Sequence, residues 1–257
     1  MTERRRIDLL LVERGLFESR AKAQAAIVAG LVAANGVTVT KAANEITIDA
    51  VLTATPAHPY VSRGGVKLAG ALDHAAIDVS GKVCLDIGAS TGGFSEVLAL
   101  RGAKRIIAVD VGRGQFHPKL RDHSEIVSLE GTDIRALTAA QLGEPPEIIV
   151  IDVSFISLKL VLPAAFSLAA SRCTLVTLIK PQFELKRSDA KKGVVRDETL
   201  RTQVCNDISA FIEANGWSVR PVFQSPITGG DGNVEFFVIA TRDNSLLPAS
   251  SDTMLSR

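Results

Sequence analysis

Cysteine is sparse in this chain: Cys84, Cys173 and Cys205 are the three thiols among 257 residues, and no two form a CxxC pair. Pairing would leave one cysteine over, and the spacings argue against a disulfide framework and a zinc site, so no metal is expected and reduced core thiols fit best. An excess of one charge is lacking too. The formal net charge is +1, so the chain is not polybasic as a whole. Apolar runs are short. IDLLLV (7–12) falls below the length of a signal core, and Glu3, Asp8 and Glu13 surround or interrupt it. No stretch approaches membrane-spanning length, which leaves the cytoplasm as the expected location and no membrane partner. Internal repeats and low-complexity tracts are also missing.

What is present fits a globular chain. Hydrophobic residues make up 46% and charged residues 22%, enough for a packed core under an ordinary solvated surface. The length suits one sizeable α/β domain with a small appendage. Charge is uneven between them: residues 1–67 hold nine Lys and Arg against six Asp and Glu. The front end thus carries a surplus of three on a slightly acidic body, which suggests an anionic partner for it.

The order of elements follows from pattern. IDLLLVER (7–14) reads as a short helix closed by Gly15. Ser19 caps a second helix that stops at Gly30. Asn35-Gly36 between LVAA and VTVT is a hairpin signal, and EITIDAVLT alternates like one further strand. ATPAHPYV (54–61) is the linker candidate. Beyond it GGVKLAGALDHAA reads as helix. KVCLDIG, RIIAVDV, HSEIVSLEG, EIIVIDVSF and TLVTLIKPQF then read as strands alternating with helices, including one expected before HSEIVSLEG and one through LPAAFSLAA. Continuous apolar strands of this kind belong to a parallel sheet covered on both faces. After the helix ETLRTQVCNDISAFIEANG, WSVRPVFQS and VEFFVIATR read as an antiparallel pair at the sheet edge. The expected fold class is therefore α/β.

The loop LDIGASTGGF (85–94) leaves a strand and opens a helix. Glycine lets a backbone approach a ligand, and a helix N-terminus favours negative charge. A dinucleotide loop wants G-x-G-x-x-G, but Ser90 stands where its second glycine belongs. Asp86 beside the loop would repel a pyrophosphate and suits an ammonium. Asp110 ends the next strand, where an acid holds ribose hydroxyls, and Asp133 follows the third strand, within reach of an adenine amino group. The set fits S-adenosylmethionine better than NAD. A plain strand–helix turn is the alternative for the glycines alone.

Four charged residues are placed around this loop. Asp152 and Lys180 leave strands at the C-terminal edge where open α/β sheets bind ligands. Lys67 lies on the helix before the first strand, and Glu235 lies early in the last strand. Such a quartet can take a proton from a weakly acidic sugar hydroxyl and aim its oxygen at a methyl sulfonium. A lysine serves as base where burial and a neighbouring cation lower its pKa, and carboxylates orient the ammonium groups. Two ordinary Lys–acid salt bridges are the competing account.

Taken in order, SRGGVKL (62–68), LDIGASTGGF (85–94), VIDVSFIS (150–157), IKPQFE (179–184) and NVEF (233–236) resemble the segments of the TlyA family. These are bacterial ribosomal RNA 2′-O-methyltransferases often labelled hemolysins, and the resemblance spans residues 4–242. It implies a Rossmann-like, FtsJ-type methyltransferase domain over 62–243, with a mostly parallel sheet. The catalytic tetrad of that family falls on Lys67, Asp152, Lys180 and Glu235, with Lys180 as base. S-adenosylmethionine would be held by Asp86, Gly88, Ser90, Thr91, Gly92, Gly93, Phe94, Asp110 and Asp133. Residues 1–56 resemble the small α+β RNA-binding domain named after ribosomal protein S-four, joined through a linker at 57–61. Arg4, Arg6, Arg20 and Lys22 fall on its RNA-facing positions, and Lys41 and Arg63 complete the expected RNA-binding set. In the linker, Tyr60 is aromatic in the family's tryptophan position, while Pro59 departs from its pattern. Residues 244–257 are expected to form a disordered tail.

The implied activity is methylation of a cytidine 2′-hydroxyl in ribosomal RNA within an assembled subunit. End lengths favour the large-subunit form, with both subunits as the alternative. Two other classes compete. A non-catalytic assembly factor would keep the fold but does not need the quartet. A membrane-active hemolysin would need a spanning segment or a strongly amphipathic cationic helix, and neither is seen.

Overall fold

The computed structural model describes residues 3–186, 189, 193–229 and 232–243. The expected tail at 244–257 lies outside the described residues, as do Gly230 and Asp231. Two compact units part between Pro59 and Tyr60.

In the first unit, β1 (Arg4–Arg6) runs directly into α1 (Ile7–Glu13), followed by α2 (Arg20–Val28). Ser19 Oγ accepts the Lys22 N–H at 3.3 Å and caps α2. β2 (Val32–Ala34) turns through Asn35-Gly36 into β3 (Val37–Thr38), with Ala34 opposite Val37. Both turn residues have positive φ, 49° and 80°, as a type I′ hairpin requires. The stretch expected as one strand is two: β4 (Glu45–Thr47) pairs with β1, and β5 (Leu52–Ala54) pairs with β2. A turn closed by Ala50 N–H on the Thr47 carbonyl divides them, and alternation carries straight through such a turn. Ile7, Leu11, Phe17, Ile27 and Val32 form the core of this unit.

The second unit starts with α3 (Arg63–Ala75), β6 (Val83–Ile87), α4 (Gly93–Leu100) and β7 (Arg105–Asp110). β8 (Ile126–Glu130), α5 (Ala139–Leu142), β9 (Ile148–Ile151), α6 (Leu158–Leu168) and β10 (Arg172–Ile179) follow. The described chain closes with α7 (Pro181–Glu184), α8 (Glu198–Ala214), β11 (Ser218–Val219), β12 (Phe223–Gln224) and β13 (Phe236–Asp243). The helix expected before β8 is a single 3-10 turn, Pro118–Leu120. Gly112, Gly114 and Pro118 leave too short a run to nucleate an α-helix.

The sheet order is β11-β13-β10-β9-β6-β7-β8, with β12 also on β13. β8 through β10 are parallel to one another, and β13 is antiparallel to β10 along eight pairs, Arg172 opposite Asp243 through Ile179 opposite Phe236. Strand side chains alternate between two cores. Cys84, Ile106, Val150 and Phe237 face α3 and α4, while Leu85, Ile107, Ile151 and Val238 face α6 and α8. Each fully buried aliphatic side chain contributes roughly 1.5–3 kcal/mol. The chain builds outward from β6 to β8 and returns to β9 on the other side of β6. That reversal opens a crevice at the C-terminal ends of β6 and β9.

Candidate active site

The crevice is a cavity of about 600 Å³ lined by the loops after β6, β7, β8 and β9. Its walls are apolar at Ile87, Val109, Val111, Ile134, Val153 and Ile156, and it holds three carboxylates, Asp110, Asp133 and Asp152. Gly88 and Ser90 line it from the loop after β6. Gly88 has φ +83°, and a Cβ there would stand 2.6 Å from the Asp152 carbonyl oxygen, so only glycine lets the two loops meet. Asp110 Oδ2 accepts the Ser90 N–H at 2.8 Å, and its Oδ1 accepts the Gly112 N–H at 2.7 Å. Each oxygen keeps a lone pair for a further hydroxyl donor. Asp133 is bound by Arg135, 2.6 Å to Nη2, which holds its carboxyl below its ordinary range.

The other residues expected at the cofactor lie beneath or behind this lining. Asp86 points to the α4 side of the sheet, fully buried, with Oδ2 accepting from Ser95 Oγ at 2.6 Å. Its Oδ1 has no hydrogen-bond partner. Burial pushes the Asp86 carboxyl up to about 7 against the Ser95 hydrogen bond, and the charges of Asp152 and Asp110 add to the rise. Thr91, Gly92, Gly93 and Phe94 form the turn into α4 rather than the cavity wall. The Thr91 carbonyl accepts the His117 N–H at 3.2 Å, and a side chain on Gly92 would meet Leu120 and Phe116. Phe94 belongs to the core beside Leu68 and Val97.

The quartet assembles as two ion pairs. Lys180 follows β10, and its Nζ lies 2.6 Å from Asp152 Oδ1, a close pair outside hydrogen-bond angles, while donating to Ser154 Oγ at 2.9 Å. Lys67, on α3, reaches Glu235 Oε2 at 2.5 Å. Lys67, Lys180 and Glu235 are 8%, 9% and 3% exposed. Glu235 stands just before β13 rather than within it. Topology explains the convergence. β9 and β10 end at the same sheet edge at which antiparallel β13 begins, so Asp152, Lys180 and Glu235 share that edge. Asp152 and Ser154 also line the cavity, which places Lys180 one contact behind it.

In the first unit the basic residues are partly committed to their own fold. Asp8 is fully buried and accepts from Arg6, Arg20 and Gln24. Arg4 donates to the Glu45 carbonyl, and Lys22 pairs with Glu18 at 2.6 Å. Lys41 is exposed. Arg63 belongs to the second unit and donates to the Thr228 carbonyl.

Several residues at the site were not singled out in the sequence, although Ser154 and Phe155 lie within VIDVSFIS. Ser154 is an unremarkable polar residue until Lys180 folds against it. Phe155 is 90% exposed with φ +64°, lines the cavity and packs on Phe183 at 4.9 Å between centroids. An exposed aromatic in left-handed backbone is a signal only once the backbone is known. Glu96, buried on α4, accepts the Val61 N–H at 2.5 Å and Lys119 Nζ at 3.1 Å, tying the start of the unit to the cofactor-loop helix.

A mostly parallel sheet with an antiparallel strand inserted beside β10, and an acidic glycine loop after its first strand, define the class: an α/β methyltransferase. Residues 60–242 match the FtsJ-like methyltransferase family, and residues 5–52 match the S4 domain. The chain belongs to the FtsJ-like methyltransferase family, with an S4 domain ahead of the methyltransferase unit. It is 42% identical to the 16S/23S rRNA (cytidine-2′-O)-methyltransferase TlyA of Mycobacterium tuberculosis, over 93% of this chain and 90% of that one. It is 44% identical to YqxC of Bacillus subtilis, labelled an rRNA methyltransferase, over 92% and 85% of the two chains. A solved structure from Streptococcus thermophilus that carries a hemolysin label superposes with a TM-score of 0.75 at 38% identity, over 95% and 90%.

Proposed function

We propose that this chain methylates the 2′-oxygen of a cytidine in ribosomal RNA, drawing the methyl group from S-adenosylmethionine in the cavity after β6. The observation that carries this reading is Lys180: a buried amine held by Asp152 and Ser154, both of which line that cavity. The cavity fits the donor. Apolar walls suit an adenine, Asp110 suits ribose hydroxyls, and the Asp152 carboxylate favours a cation and disfavours a pyrophosphate. When bound, S-adenosylmethionine supplies an electrophilic methyl group on a sulfonium.

The chain's own residues do the rest. Lys180 Nζ takes the proton of the attacking hydroxyl, and Asp152 stabilises the ammonium that results. Glu235 neutralises Lys67 and fixes it at the same sheet edge. Phe155 offers an exposed ring at the cavity mouth, the kind of face on which an unstacked RNA base rests. The S4 unit, with Arg4, Arg6, Arg20, Lys22 and Lys41, supplies phosphate contacts that carry affinity but no base identity, and Arg63 adds a further cation from the methyltransferase unit. An assembled ribosomal subunit in the cytoplasm is the proposed partner. Hemolysin labels among relatives do not point elsewhere: among the described residues no helix is long and apolar enough to cross a membrane.

Nucleoside mass spectrometry of ribosomal RNA tests the proposal. RNA from cells lacking this protein should lose a 2′-O-methylcytidine that returns on complementation, and the subunit carrying it identifies the substrate. Identical maps with and without the protein would overturn the reading.

A further inference from the structure

We propose that Ser154 is the positioning residue that aims Lys180 at the methyl-accepting hydroxyl. The inference rests on Lys180 acting as the base. Nζ is tetrahedral: Cε takes one position, Ser154 Oγ at 2.9 Å accepts from a second, and Asp152 Oδ1 stands 2.6 Å away as a charge partner outside hydrogen-bond angles. Ser154 Oγ accepts from Nζ, so that position keeps its N–H bond, and the Asp152 oxygen, which carries lone pairs of its own, repels the lone pair of the free amine. The lone pair of the free amine therefore lies at the position turned away from both oxygens. One anchor would leave the nitrogen free to turn about Cε–Nζ. The hydrogen bond to Ser154 and the charge of Asp152 together fix the lone pair in a single direction.

The loop is built to hold this hydroxyl still. The Asp152 N–H donates to the Ile87 carbonyl at 3.0 Å on one side of Ser154. On the other side, Glu184 accepts from Ser157 Oγ at 2.6 Å and from the Leu158 N–H at 2.8 Å. Phe155 packs on Phe183 between these anchors. Glu184 and Phe183 lie in α7, which Lys180 itself caps. The base and the loop that aims it are therefore fastened to the same turn.

Single-turnover methyl transfer by the full chain, at saturating cofactor and ribosomal RNA, tests this. Ser154→Ala should lower the rate by about tenfold, the scale of one hydrogen bond to a charged group, with cofactor affinity, RNA affinity and melting temperature unchanged. Ser154→Thr keeps the hydroxyl and should return to within about threefold of wild type. Ser154→Cys keeps the size but offers a weak acceptor, so it should fall with alanine, and it carries the test if the alanine variant misfolds. Lys180→Ala runs alongside as the control. An inactive Lys180→Ala beside a wild-type rate in Ser154→Ala or Ser154→Cys would overturn the role of Ser154 and leave the base in place. An active Lys180→Ala would overturn the base itself. A loss in Ser154→Ala that appears as weaker cofactor binding would reassign Ser154 to the cofactor and overturn the proposal.

Discussion

Lys67 and Glu235 stand 168 residues apart in the chain and meet in a buried ion pair, Nζ to Oε2 at 2.5 Å. Removing one partner from such a pair strands a charge and costs about 3–5 kcal/mol, whereas replacing both with apolar residues is often neutral. Glu235→Leu should therefore lower the melting temperature sharply, and Lys67→Met with Glu235→Leu should recover it. Methyl transfer should stay absent in both. A double variant that is stable and active would make this pair a strut of the fold and nothing more.

A second prediction concerns Asp86. Its folded-state pKa is raised to about 7, chiefly by burial. A raised carboxyl contributes stability that is full below about pH 4, its unfolded range, and lost as pH rises through the folded value. Asp86→Asn removes that dependence, so denaturant midpoints should shift in the variant's favour between pH 4 and about pH 8. Cofactor affinity should move the other way. At about pH 8 the variant lacks the buried negative charge that favours an ammonium, and calorimetry should show weaker binding of S-adenosylmethionine. Equal affinity would confine Asp86 to the fold.

The S4 unit separates binding from stability. Asp8 is held well below the usual carboxylate range by the Arg6 hydrogen bond first, with Gln24 and Arg20 adding to it against the cost of burial. A depressed carboxyl contributes stability that is present above about pH 4 and lost as pH falls toward the folded value. Acid should therefore loosen this unit, and Asp8→Asn should destabilise it at neutral pH, read by hydrogen exchange over residues 4–54. Arg20→Ala should weaken both RNA binding and the unit. Exposed Lys41→Ala should weaken RNA binding alone, with the salt slope of log affinity falling by about one and the melting temperature unchanged. An unchanged slope would remove Lys41 from the RNA contacts.

The methyltransferase strands were legible because β6, β7, β9 and β10 are short apolar runs buried on both faces. Their C-terminal ends mark a binding edge whatever the tertiary detail, so Asp152 and Lys180 stood out. Glu235 and Lys67 were named in the same quartet on weaker grounds, and the resemblance strengthened them, since neither a residue ahead of a last strand nor one on a lone helix has a local signature. What stayed hidden depends on pairing across the chain. Arg4–Arg6 is a strand only because β4 lies beside it, and EITIDAVLT splits because its halves join different sheets. Asp86 reads as a cofactor contact in the motif, yet strand parity turns it toward Ser95 on α4. Arg6 and Arg20 read as free surface cations until Asp8 is seen between them.

The most direct test of the central claim is single-turnover transfer of a radiolabelled methyl group to stripped ribosomal subunits by wild type and Lys180→Ala, with cofactor and RNA affinities measured on the same preparations. A general base contributes about 10²–10⁴-fold, so Lys180→Ala should lose at least that much while both affinities stay near wild type, and Lys180→Arg should fail as well because a guanidinium keeps its proton. A loss smaller than about tenfold would contradict the account, because another residue or water would then be removing the proton.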